Sequence, residues 1–128
     1  MQRAWFVTGT DTGVGKTLVS AALLTALART GRRVVGMKPV ASGCDATPHG
    51  LRSADAEALR AAGNVAADYE AINPYALAAP TAPHLAAVAA GVQIDISTMR
   101  AQYARLAAQA DDVVVEGIGG WLVPINRT

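Results

Sequence analysis

Cysteine is almost absent from the 128-residue sequence: Cys44 stands alone, which excludes an intramolecular disulfide framework and fits a reducing compartment. No apolar run approaches the roughly 20 residues that a spanning helix needs. The opening MQRAWFVTGT carries one arginine and a four-residue apolar run, too short for the core of a signal peptide. Charge is sparse and balanced, at 16% charged residues and a net +1, which excludes a polybasic strip binding nucleic acid by charge alone. A hydrophobic content of 52% excludes a disordered tail. The expectation is a soluble cytoplasmic protein with no membrane and no nucleic-acid partner. Lysine is the other scarcity: Lys16 and Lys38 stand against nine arginines. Where arginine is the default cation, a lysine invites a reason.

What is present is alanine, 28 of the 128 residues, and a pattern of alternating elements. Residues 5–8 form a short apolar run ending at Gly9 and read as a buried strand. Residues 17–29 are strong helix formers with leucines at 18, 23, 24 and 27 on one broad face, ended by Thr30-Gly31. Residues 33–37 read as a second strand, stopped by Pro39, so the first pair should be parallel with a right-handed crossover. Residues 41–52 read as loop, 53–62 as a helix capped by Ser53, and 64–83 as an extended connection with three prolines. Helices follow at 83–90 and roughly 96–110, then a third buried strand at 112–116. The three strand runs show no polar alternation, so the sheet should be covered on both faces.

The chemistry concentrates between the first strand and the first helix, in Gly9-Thr10-Asp11-Thr12-Gly13-Val14-Gly15-Lys16-Thr17. A phosphate loop requires that context. The usual spacing is glycine, four residues, then Gly-Lys-Ser/Thr; here Gly9 lies one residue early and Thr10 takes the expected glycine position. Gly13 and Gly15 let backbone N–H groups close around phosphate, and the helix start adds partial positive charge. Lys16 can reach the β- and γ-phosphates, and the Thr17 hydroxyl can bind Mg²⁺. Glu116 ends a buried strand, where phosphate-loop proteins place an acid to face magnesium, and Gly117 follows it. Lys38 ends the second strand, on the rim where ligands of open parallel sheets bind. Asp55 sits in the first turn of a helix, where the helix dipole alone would favour it. Ser42 and Gly43 follow Lys38 and could hold an anion. His49 and His84 lack metal-ligand spacing, and Cys44 reads as a bystander. Residues 80–84 could line a pocket but read better as a rigid connection.

These residues resemble the dethiobiotin synthetase family. The matching segments are FVTGTDTGVGKT at 6–17, GMKPVASG at 36–43, TPHGLRSADA at 47–56, INPYALAAPTAPH at 72–84 and VVVEGIGGW at 113–121. That family shares the longer spacing before Gly15. The resemblance implies a three-layer α/β fold of the P-loop NTPase kind, a parallel sheet flanked by helices. It implies that residues 1–128 are one ATP-binding domain, the N-terminal part of a longer one. It implies ATP- and Mg²⁺-dependent carboxylation of 7,8-diaminopelargonic acid by CO₂. A carbamate forms on one amine and attacks the γ-phosphate to give a carbamic-phosphoric anhydride. The second amine then closes the ureido ring, releasing phosphate.

The resemblance also implies residue roles. Thr17, Asp55 and Glu116 would hold magnesium, and Thr12 and Ser42 would contact carbamate or substrate. Gly13, Val14, Gly15, Lys16, Thr17 and Leu18, with Glu116, Gly117, Ile118 and Gly119, would line the triphosphate. Lys16 and Lys38 would be the catalytic cations, acting by position and electrostatics. A compact ammonium suits oxygens that move, whereas arginine prefers a fixed fork. Gly13 replaces an acid found in some relatives. The family's chains continue well beyond position 128, and the further part carries adenine recognition, much of a homodimer contact and the substrate-tail pocket. Plasmid-partition ATPases share the loop but carry lysine at the position of Asp11. Glutamine-dependent ligases of cobalamin synthesis share it without the Lys38–Ser42 segment. A nucleotide-binding module without turnover is the third alternative.

Overall fold

The computed structural model describes residues 2–10, 15–120 and 123–125. Among them, three strands form one parallel sheet in the order β1 (Arg3–Val7), β7 (Asp112–Glu116), β2 (Val34–Met37). Val7 pairs with Glu116, and Met37 with Val115, so all three strands end on one rim. The crossover from β1 to β2 is α1 (Lys16–Arg29). As read from the sequence, Gly31 follows that helix in the left-handed conformation, φ +86°.

The strand sequences explain the layering. Val34 and Val114 point to one face and pack with Leu24 of α1 and Leu59 of α2 (Ala54–Ala62). Val35, Met37 and Val113 point to the other and pack with Ile72 of α3 (Tyr69–Ile72) and Leu106 of α5 (Ile96–Ala107). Each buried aliphatic side chain contributes roughly 1.5–3 kcal/mol. Gly36 permits the close approach of the first pair of helices, since a Cβ there would lie 2.7 Å from Leu59 Cβ and 3.0 Å from Leu24 Cδ1. The result is the expected α/β arrangement, a parallel sheet flanked by helices.

Several expectations need correction. The first strand spans Arg3–Val7 rather than 5–8, because Arg3 and Ala4 pair with Asp112 and Val113 although they extend no apolar run. Among the described residues it is largely open, Trp5 being exposed and Phe6 66% accessible, with Val7 packed against the Leu24 cluster. β1 lies at the edge of the described sheet, while α1 and α2 cross over β7 and β2. The supposed loop at 41–52 contains β3 (Val40–Ala41) and a hairpin of β4 (Asp45–Thr47) and β5 (Gly50–Arg52). The supposed extended connection holds α3 and β6 (Tyr75–Ala76), which pairs in parallel with β3. α4 (Pro83–Ala90) is as read, and α5 ends at Ala107 rather than 110. No helix of the described residues is long and apolar enough to cross a membrane.

Candidate active site

Three strand ends meet at the rim. After β1 comes the phosphate-loop segment, of which Asp11, Thr12, Gly13 and Val14 lie outside the described residues. Gly15 then caps α1 at φ +92°, a backbone conformation that glycine adopts without strain. A helix start that lines a cavity favours an anion there by its partial charge and its N–H donors. Lys16 and Thr17 stand in the first turn, the helix starting at Lys16 rather than at 17 as the sequence suggested.

After β2 comes Lys38, only 4% exposed. Its ammonium donates to Asp55 Oδ2 at 3.2 Å, to Glu116 Oε2 at 3.0 Å and to the Gly117 carbonyl at 3.0 Å. Glu116, at the end of β7, is wholly buried. Its Oε2 also accepts from Thr17 Oγ1 at 3.1 Å, and its Oε1 from Ser20 Oγ at 3.3 Å. A buried carboxylate is tolerable only with such partners. Lys16 Nζ donates to the Gly119 carbonyl at 2.9 Å. Lys38 thus joins the carboxylates of Asp55 and Glu116, and the Thr17 hydroxyl is bound to the second of them. Such hard oxygens are the donors magnesium takes, with waters and phosphate filling its remaining positions.

A cavity of about 410 Å³ opens here. Its lining includes Gly15, Lys16, Thr17, Leu18, Lys38, Ser42, Asp55, Ile118 and Gly119, all named from sequence. Glu116 and Gly117 stand behind them, joined through Lys38. Ser53 also lines the cavity and was read only as a cap; its Oγ accepts from Ala56 N–H at 3.2 Å, starting the helix that carries Asp55. Ser20 was missed altogether. Its signal was available: a small polar residue one turn beyond Thr17, on the buried side of an apolar helix.

An adjoining cavity of about 520 Å³ shares Ser42, Ile118 and Gly119, and its wall includes Pro80, Thr81, Ala82 and Pro83. That segment therefore lines a pocket as well as connecting elements. The two prolines hold a turn whose carbonyl at Ala79 accepts from Gly43 N–H at 3.1 Å. His49 is exposed in the turn between β4 and β5, and His84 lies in the first turn of α4. Cys44 is buried, and burial raises its thiol pKa, which suits an inert side chain.

A family model described as an AAA domain matches residues 3–128. The chain is 56% identical to the ATP-dependent dethiobiotin synthetase BioD of Xanthomonas axonopodis pv. citri (strain 306) over 125 residues, 98% of this chain and 56% of that protein. It is 54% identical to the protein of the same name from Xylella fastidiosa (strain 9a5c), covering 98% of this chain and 55% of that protein. The chain therefore spans little more than half the length of the curated relatives it matches. With a family match across nearly all its length, this chain belongs to the AAA-domain family.

Proposed function

We propose that this chain forms the ATP-binding and phosphoryl-transfer part of a dethiobiotin synthetase, acting on 7,8-diaminopelargonic acid, CO₂ and ATP. The observation that carries the reading is the Lys38 ammonium, held between Asp55 and Glu116 on the cavity that Lys16 and Thr17 also line. The similarity to relatives named ATP-dependent dethiobiotin synthetase supports it. Carbamate and ATP are both anionic, so their meeting needs positive charge concentrated at one rim, and the chain's only two lysines converge there.

In this reading the first turn of α1, with Thr12, Gly13 and Val14 ahead of it, cradles the triphosphate. Lys16 moves from the Gly119 carbonyl to phosphate oxygens. Lys38 bridges the carbamate and the transferring phosphoryl group, and Ser42 orients the carbamate. Thr17, Asp55 and Glu116 would hold Mg²⁺, which supplies neutralisation of phosphate charge when bound. Ile118 and Gly119 close the wall of the site. The reaction joins a carbamate oxygen to the γ-phosphorus with departure of ADP. The free amine then attacks the activated carbonyl carbon, and phosphate leaves. A homodimer and a cytoplasmic location belong to the same reading.

The test is to supply ATP, Mg²⁺, bicarbonate and the diamine, and to measure phosphate and the ureido product. The chain is assayed alone and extended to its relatives' full length. Diamine-dependent phosphate matched by ureido product is expected from the extended protein. Phosphate release indifferent to the diamine there would overturn the reading.

A further inference from the structure

Lys38 is held at both ends. Its ammonium meets Asp55 and Glu116, while its backbone is tied into a buried polar chain. Its N–H donates to the Ile72 carbonyl at 2.8 Å, and its carbonyl accepts from Asn73 Nδ2 at 2.7 Å. Asn73 is only 3% exposed, and its Oδ1 accepts from the Tyr69 hydroxyl at 2.8 Å. That hydroxyl accepts in turn from the Ser53 N–H at 2.7 Å. Ser53 is the N-cap of α2, whose first turn carries Asp55. The chain therefore runs from the Lys38 carbonyl through Asn73 and Tyr69 to the start of the Asp55 helix.

We infer that Tyr69 and Asn73 are positioning residues that hold the end of β2 and the start of α2 at the separation Lys38 and Asp55 require. The inference rests on the reading of Lys38 as a phosphoryl-transfer residue, but its geometry does not depend on nucleotide. α3 makes the device possible. Tyr69 and Asn73 lie four residues apart and so share one face of that single turn. The turn is anchored by Ile72 in the core. The Arg52 guanidinium lies 3.9 Å over the Tyr69 ring and pairs with Glu57 at 3.1 Å, clamping the ring from its other side. Burial raises the phenol's pKa, so the hydroxyl keeps the proton it donates to Asn73. Both polar atoms of the link are thereby satisfied, and deleting either leaves a buried group without its partner.

The scarcity of lysine supplies an unusually clean test. The chain has only two ε-amines, so a pulse of acetic anhydride followed by peptide mass spectrometry reads Lys38 against Lys16 as an internal control. Tyr69→Phe keeps the ring under Arg52 and removes only the hydroxyl. Its expected effect is about a fivefold faster acetylation of Lys38, with Lys16 within about twofold, as loss of the hydroxyl's two hydrogen bonds loosens one segment. A general loss of stability would raise both rates together, and that result, or no change at Lys38, overturns the inference. If Tyr69→Phe shows no cooperative melt, Asn73→Asp decides the same ratio, since it keeps the acceptor for Tyr69 and loses the donor to the Lys38 carbonyl. In the extended protein, kcat should fall about tenfold with the KM for ATP unchanged, the split that a displaced reacting group produces. Absence of turnover in the unsubstituted protein would count against the proposed reaction and leave the labelling ratio to decide on Tyr69 and Asn73.

Discussion

The Lys38 ammonium lies 3.0 Å from Glu116 Oε2, joining the carboxyl ends of two strands that β-pairing alone sets in register. Both side chains are closed to solvent, at 5% and 0% exposure. Charges withdrawn from water this far cost several kcal/mol each unless paired, so each makes the other tolerable.

Removing one partner should therefore be worse than removing both charges. Lys38→Met is expected to destabilise the chain by about 3–5 kcal/mol, because Glu116 keeps only hydroxyl donors. Adding Glu116→Gln should recover much of that loss. Urea midpoints of the two single variants and the double variant measure the coupling, and strict additivity would contradict the pairing.

Lys38→Arg keeps the charge and changes the shape. A guanidinium is a planar fork and cannot direct three donors at Asp55, Glu116 and the Gly117 carbonyl as an ammonium does. Nucleotide binding through the α1 start should survive, while carboxylation in the extended protein falls by about 100-fold or more. Titration with a fluorescent ATP analogue and a phosphate assay separate the two. Near-normal turnover would make Lys38 a strand-end residue only.

At the opposite end of the sheet, Asp112 has its own pH signature. Its buried carboxylate accepts from Arg32 Nε, from Arg3 Nε at 2.9 Å and from Trp5 Nε1 at 3.2 Å. Burial alone would raise its pKa, but these donors outweigh it and lower the value from 3.8 to about 2. A depressed folded pKa stabilises above the unfolded value and is lost as pH falls through the folded one. About 2 kcal/mol of stability should thus disappear between about pH 4 and pH 2. In Asp112→Asn that part of the acid slope should be missing, as urea unfolding at stepped pH would show.

Gly36 tests the layering. Its backbone is ordinary, so a substitution meets only the close approach of Leu59 Cβ at 2.7 Å and Leu24 Cδ1 at 3.0 Å. Gly36→Ala should cost about 1–3 kcal/mol by forcing α2 off the sheet. A thermal melt checks it, and an unchanged midpoint would mean the helices shift without penalty.

Much of the site was legible because its chemistry needs particular residues at fixed local spacing. Gly15-Lys16-Thr17 before a leucine-rich helix marks a phosphate loop, and a lysine or glutamate ending an apolar run falls on the rim of a parallel sheet. The hairpin at 45–52 was not legible, since strands of three residues show no usable alternation. α3 was not either, because four residues cannot display helical periodicity. Tyr69 has a role set by what the fold brings to it, the Ser53 N–H on one side and Asn73 on the other.

The sequence by itself determined the strand–loop–helix unit, the composition of the cationic rim and the order of the main elements, because backbone preference and apolar spacing are local. Only the tertiary structure decided that β7 inserts between β1 and β2, and hence that Glu116 stands beside Lys38 rather than across the sheet. It also decided that the apolar run of β1 stays open at an edge while that of β2 is sealed on both faces. Those outcomes follow from which strand pairs with which, a choice governed by contacts between residues up to 109 positions apart, and the local pattern does not encode it.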